Sequence, residues 1–217
     1  MTFGILSEDN RVMILKLEQG KTMAVLTPKI AAKSGLRATR CYSETNFRRQ
    51  LQDCGIHLHK AEALFYFTEA EKEKLLETDL ASNLRRLTEQ DHELFAQFES
   101  SSLEQDLDDA FVELDHWAVF GSLEQNRLVS AASMYPWMGK ANLADIGVLT
   151  LAPFRGQGHG RSVVRSIAQY ACQQGAQPQF RCRLDQQESI ALAQAAGLTL
   201  FGTWEVISPD SNEWELE

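Results

Sequence analysis

Between Arg155 and Arg161 the chain reads Arg-Gly-Gln-Gly-His-Gly-Arg. A run of apolar and β-branched residues stops at Pro153 just before it, and a strongly periodic stretch follows it. Glycine carries an entropic cost, so three so close together imply a backbone shape or a close approach that a Cβ would forbid. Set between a strand and a helix, the segment would offer unpaired helix-start N–H groups and the positive end of a helix dipole. Successive N–H groups turned to one side make an anion cradle, best suited to phosphate. Arg161 and Arg165 fall in the early helical turns, where the dipole disfavours cations unless an anion is brought in. The bland alternative is a glycine-rich turn with solvated arginines.

Two phosphate-binding loops can be tested against these letters. A P-loop needs four residues between its glycines and ends in Gly-Lys-Ser/Thr; Gly160, Arg161 and Ser162 lack the lysine, and the gap is absent. A G-x-G-x-x-G fingerprint needs a glycine at position 161 or 163, which hold Arg161 and Val163. Asp185 ends the following strand about where a ribose-binding acid would sit. A dinucleotide-binding oxidoreductase is therefore the runner-up.

The elements that position this loop follow from periodicity and capping. In the N-terminal third, "RVMILKLEQGKTMAVLTP" reads as two strands around a Gln19-Gly20 turn. Pro28 opens a short helix that Gly35 closes, and Ser43 starts another that Gly55 closes. "ALFYFT" is an apolar segment, and Thr68 with Glu71 forms a capping box for "EAEKEKLLE". A polar stretch at residues 79–82 marks the expected boundary between an α/β region over 1–80 and a domain over 81–217. From Asn83 the order is strand, two helices, three strands, helix, strand, helix, strand. Thr88 and Asp91 resemble an N-cap pair, "SLEQDLDDAFVEL" an acidic helix, and Gly175 and Gly197 helix ends. The helix after the glycines stacks Val163, Val164, Ile167, Ala168, Ala171 and Cys172 on one stripe.

Composition narrows the partners. A net charge of −9 argues against an electrostatic grip on nucleic acid. No apolar run approaches the roughly 18 residues that span a bilayer, and "MTFGILSEDN" lacks the features of a signal peptide, so neither a membrane nor a secretory route is expected. Cys41, Cys54, Cys172 and Cys182 show no metal-ligand spacing and read as reduced thiols in a cytoplasmic protein.

Arg155-x-x-Gly158-x-Gly160 resembles the R/Q-x-x-G-x-G/A motif of the GNAT superfamily of N-acetyltransferases. The preceding "IGVLTLAPFRG" resembles that family's fourth strand. "QQESIALAQAAGL" resembles its later N-x-x-S-x-x-L-Y-x-x-x-G-F segment, with Ser189, Leu192 and Gly197 matching outright. The element order from Asn83 onward fits too, so the resemblance covers about the last two thirds of the chain. It implies an α/β (α+β) fold with a mixed, mostly antiparallel sheet, splayed between its fourth and fifth strands and flanked by helices. It also implies acetyl-CoA as cosubstrate. The amides of Gly156, Gln157, Gly158, His159 and Gly160 would hold the pyrophosphate, and Arg155, Arg161 or Arg165 would meet phosphate charge. The main chain of Leu149, Thr150 and Leu151 would pair with the pantetheine amides, with Gln186 and Ser189 of the later segment near the cofactor. Two departures stand out. Ala193 occupies the position of a tyrosine that protonates the departing thiolate in many members, and Gln186 replaces the asparagine.

The resemblance implies direct attack of an amine on a thioester, needing a proton acceptor and an oxyanion donor, the latter an N–H near residues 149–151. The acceptor that the resemblance implies is a primary amine of a small molecule or peptide. Asp145 is one candidate base; its plainer reading is a strand-end carboxylate in solvent. Glu113 and His116 are others, and Tyr135 is a candidate acid or pocket wall unless it only packs beside Pro136 and Trp137. Glu104, Asp106, Asp108, Asp109, Glu113 and Asp115 crowd one region, which is either a lure for a cationic amine or a solvated helix face. Trp117, Tyr135 and Trp137 would wall a cation or fill the core. His57 and His59 lack neighbouring ligands, so no metal is expected. The N-terminal third has no readable motif, leaving two roles open: restricting the acceptor side, or forming a homodimer. A non-catalytic acetyl-CoA sensor is the alternative that Ala193 suggests.

Overall fold

The computed structural model describes residues 10–37, 40–79 and 81–211. The reading of the N-terminus as leaderless and the centre of the boundary at 79–82 fall on residues 1–9 and 80, outside the described residues. The described chain runs β1 (Val12–Leu17), β2 (Thr22–Leu26), α1 (Pro28–Ser34), α2 (Glu44–Asp53), β3 (Glu62–Phe67), α3 (Glu69–Glu77), β4 (Leu84–Leu87), α4 (His92–Ser100), α5 (Glu104–Ala110), β5 (Ala118–Glu124), β6 (Arg127–Trp137), β7 (Lys140–Thr150), α6 (His159–Gln173), β8 (Gln177–Arg183), α7 (Gln187–Ala196) and β9 (Leu198–Val206). It is a mixed α/β fold with mostly antiparallel pairing. By its contacts the described chain forms two compact units, one within residues 10–64, 183–185 and 201–211, the other within 65–182 and 186–200. The polar stretch at 79–82 therefore lies inside the second unit. One reason is that the Gln169 amide of α6 donates to the carbonyls of Leu75 and Thr78, both at 2.7 Å, tying α3 to α6.

In the first unit, β1 pairs antiparallel with β2 across the turn at Gly20 and with the last residues of β9 on its other edge. Proline starts α1 and a left-handed Gly35 ends it, while the Ser43 hydroxyl accepts from the Asn46 N–H to cap α2. Val12, Ile30, Leu36, Leu51, Ile56 and Ile207 form the core of this unit.

In the second unit the strand order is β8-β7-β6-β5-β4, with Phe65–Phe67 of β3 beside β8. The pairs β4–β5, β5–β6 and β6–β7 are antiparallel, and β7–β8 is parallel. Gln125 and Asn126, both left-handed, make the two-residue turn from β5 to β6. Alternation sorts the faces. Leu149 and Leu151 join Phe95, Phe98, Val112 and Leu128 in a core with α4 and α5 on one side. Val163, Val164, Ile167, Ala168 and Ala171 are buried where α6 crosses β5, β6 and β7 on the other; Cys172, expected on this stripe, is half-buried. The acidic helix is shorter than its sequence suggests. It stops at Ala110, because Phe111 turns left-handed (φ 47°) and Val112 dives into the core.

Candidate active site

The site begins where β7 loses a neighbour. On one edge β7 keeps register with β6 as far as Ser130↔Thr150; on the other its parallel register with β8 runs only from Leu143↔Gln177 to Ile146↔Phe180. Beyond Ile146, β7 and β8, the fourth and fifth strands counting from β4, part, as the resemblance implies. Main-chain groups in a strand alternate sides. The Leu151 N–H donates to Val129 and the Leu149 carbonyl accepts from Ser130 Oγ, so both residues address β6. Of the three strand residues expected to meet a cofactor, Thr150 alone faces the gap, together with Val148, which the sequence reading missed. The correction follows from register, which one sequence does not reveal.

A short turn, Ala152–Phe154, leads into the glycine loop. Gly156 (φ 74°) and Gly158 (φ 90°) are left-handed, and a Cβ on either would meet nothing closer than Arg161 Nη2 at 3.9 Å. Gly160 serves packing: its Cβ would lie 3.1 Å from Thr150 Oγ1 and 3.4 Å from Leu192. The first bond of α6 runs from the Ser162 N–H to the Gly158 carbonyl, and among the described residues the amides from Gly156 to Arg161 have no main-chain acceptor. Six donors and open space above two glycines fit a diphosphate.

The side chains of the loop divide differently from expectation. Arg155 is tied inward, Nε to the Thr150 carbonyl at 3.1 Å and Nη2 to Asp106 at 2.7 Å. Arg165 donates to the Ala196 carbonyl at 2.8 Å. Arg161 has no such tie among the described residues and stands exposed beside Gly158. His159 Nδ1 bonds Ser122 Oγ at 2.9 Å and Gln157 donates to the Pro153 carbonyl, so both offer the loop only their main chain. Gln186 caps α7 and Ser189 is half-buried in it, while Leu192 of the same helix packs near Gly160. Ala193 is fully buried, so its position does not face solvent.

The four catalytic candidates gather on the α5 face of the sheet, close to where β7 and β8 part. Asp145 is 1% exposed, which corrects its plainer reading as a solvated carboxylate. It accepts from Gln179 at 3.2 Å, from Arg181 Nη2 at 3.0 Å and from the Tyr135 hydroxyl at 3.3 Å. Register explains the cluster: Asp145 lies opposite Tyr135 on β6 and Gln179 on β8, and Arg181 is two residues further along the same face. Burial pushes the Asp145 carboxyl upward against the pull of Arg181. Burial also raises Tyr135, and it pushes Tyr66, whose hydroxyl donates to Gln179, up to about 12. Alternating Gln177, Gln179, Arg181 and Arg183 around Phe180 and Cys182 was the overlooked signal in the sequence.

His116 stacks beside Tyr135 and Phe111, with ring centroids 4.8 and 5.0 Å away. Its Nδ1 lies 2.8 Å from Ser133 Oγ and its Nε2 3.5 Å from Glu113. Burial lowers the imidazole, opposed by the charges of Glu113 and Asp115. Phe111 is 46% exposed although left-handed, a conformation costly for a bulky residue. Its carbonyl would lie 2.7 Å from a Cβ at Gly147, the first residue past the β7–β8 ladder. Glycine there lets the end of α5 settle on the parted strands. Glu113, Asp115 and His116 hold their ligating atoms within 4.8 Å of one another, a grouping not foreseen from sequence; His57 and His59 belong to no such group among the described residues.

A family model described as GNAT acetyltransferase matches residues 31–207. An acetyltransferase of the GNAT family from Colwellia psychrerythraea superposes with a TM-score of 0.57 at 14% identity, covering 94% of this chain and 83% of the other. A putative GNAT-family acetyltransferase from Novosphingobium aromaticivorans superposes at 0.52 and 12% identity, over 85% and 82%. At such identities the likeness is one of fold. Among curated proteins no sequence relative is found.

Proposed function

Since the chain belongs to the GNAT acetyltransferase family, we propose that it transfers an acetyl group from acetyl-CoA to a primary amine of a small molecule or peptide. The observation that carries this reading is the run of unbonded amides from Gly156 to Arg161 beside a β7 edge released from β8. Those amides and Arg161 would hold the diphosphate, and Val148 and Thr150 would pair with the amides of its arm. The cosubstrate supplies an activated acyl thioester. The protein supplies alignment and a proton acceptor. Asp145 is saturated and buried, so it positions Tyr135 and Arg181 and does not meet the acceptor. Proton removal from the ammonium falls to the Glu113–His116 pair, which bonds the hydroxyl of Ser133, the register partner of Gly147 where the strands part. With alanine at position 193, the departing thiolate takes its proton from water; a CoA thiol is acidic enough for that.

A thermal-shift titration with acetyl-CoA against NADH tests the cofactor reading, and thiol release with a panel of amines tests turnover. Stabilisation by NADH alone would overturn the proposal. The buried Ala193 favours a second reading, a binding protein without turnover. Acceptor-dependent thiol release above background eliminates it, whereas tight acetyl-CoA binding with no release from any amine selects it.

A further inference from the structure

We propose that Glu113, Asp115 and His116 form a divalent-metal site of the zinc class, in the turn between α5 and β5. Three ligating side chains come from four consecutive positions, with their ligating atoms within 4.8 Å of one another. Hydrogen bonding orients the imidazole. Buried Ser133 has one hydroxyl proton and three neighbours: the Phe111 carbonyl at 3.4 Å, the Glu113 N–H at 3.4 Å and His116 Nδ1 at 2.8 Å. All three are satisfied only if the hydroxyl donates to Phe111 and accepts from both nitrogens. That assigns a ring proton to Nδ1, so in the neutral imidazole the lone pair is on Nε2. Nε2 lies 3.5 Å from Glu113 Oε2, so with a neutral imidazole two lone-pair atoms adjoin. A proton on Nε2 or a metal ion held by both groups relieves that repulsion, and with Asp115 as a third ligand a metal competes with the proton.

The geometry suits a metal. The His116 side chain is 10% exposed and fixed by Ser133, whereas that of Glu113 is 50% exposed and free to close on an ion. A metal-bound histidine typically donates its other ring N–H to an orienting partner, the part Ser133 plays here. One imidazole with two carboxylates and an open fourth position suits Zn2+, and Co2+ as its spectroscopic stand-in. Magnesium and calcium prefer oxygen ligands alone. Where the Glu113–His116 pair also takes the proton from the acceptor, which rests on the proposed function, bound Zn2+ inhibits competitively with the amine.

The test is isothermal titration of Zn2+ into tag-free, metal-stripped protein, with visible absorption of the Co2+ form as the second readout. One ion per chain is expected, with His116→Ala abolishing the site. Glu113→Gln and Asp115→Asn, exposed changes that spare the fold, should each weaken it at least tenfold. Ser133→Ala should weaken it about tenfold. No saturable binding, or binding unchanged in His116→Ala, overturns the site; the latter would place the ion on thiols such as Cys41, which is exposed. Zn2+ bound through His116 in a protein whose metal-free form transfers no acetyl group to any amine upholds the site and overturns the transferase reading instead.

Discussion

Replacing Gly158 by alanine separates what the loop does for folding from what it does for a ligand. Gly158 sits at φ 90°, ψ −3°, where an L-residue costs about 1–2 kcal/mol. Its Cβ would touch only Arg161 Nη2 at 3.9 Å, so no clash adds to that strain. For a chain of this size the loss corresponds to about 2–4 °C in Tm per kcal/mol. The ligand side is larger. A methyl group in the open space above the loop holds a phosphate away from its amides. Losing two hydrogen bonds to a charged group, at about 1.5–3 kcal/mol each, removes about 3–6 kcal/mol, a roughly 10²- to 10⁴-fold weaker affinity. Gly20→Ala is the matched control: φ is 85°, nothing lies within 4 Å, and the residue belongs to the β1–β2 turn. Acetyl-CoA titration calorimetry and thermal melts on both variants should show similar melting losses and an affinity loss in Gly158→Ala alone. Equal acetyl-CoA affinity in the two variants refutes the cradle.

The loop side chains should part in the same assay. Arg161→Ala is expected to weaken acetyl-CoA by about tenfold or more, whereas Arg155→Ala, which breaks the bond to Asp106, should act mainly on stability; the reverse order would contradict the assignment. His159→Ala should lower stability by about 1 kcal/mol through the lost Ser122 bond yet leave acetyl-CoA affinity within about twofold, as calorimetry would show. Asp145 has a pH signature. Its folded value is raised above the usual 3.8, so the native state holds that proton more tightly than the unfolded chain. The resulting stability is present below 3.8 and lost as pH rises through the folded value. Urea midpoints from about pH 4 to about pH 7 should lose this component in Asp145→Asn, and parallel curves for the two proteins would count against it.

Much of this protein is local and therefore legible in one sequence. Caps and breakers act on their own neighbours, so Ser43, Pro28, Gly35 and Gly197 mark helix ends where the structure has them. The apolar stripe of α6 and the positive-φ glycines of the loop are also local, and they sufficed to point at an anion cradle and a family. What the tertiary structure decided depends on register between distant segments. Asp145 looked like a strand end in water until pairing set it between Tyr135 and Gln179, 10 and 34 residues away, and brought Arg181 onto it. The loop arginines read alike as letters, yet contact with Asp106 and Ala196 removes two of them and leaves Arg161. Local spacing names the groups available for chemistry; which of them remain free for it is settled by what the folded chain brings against each one.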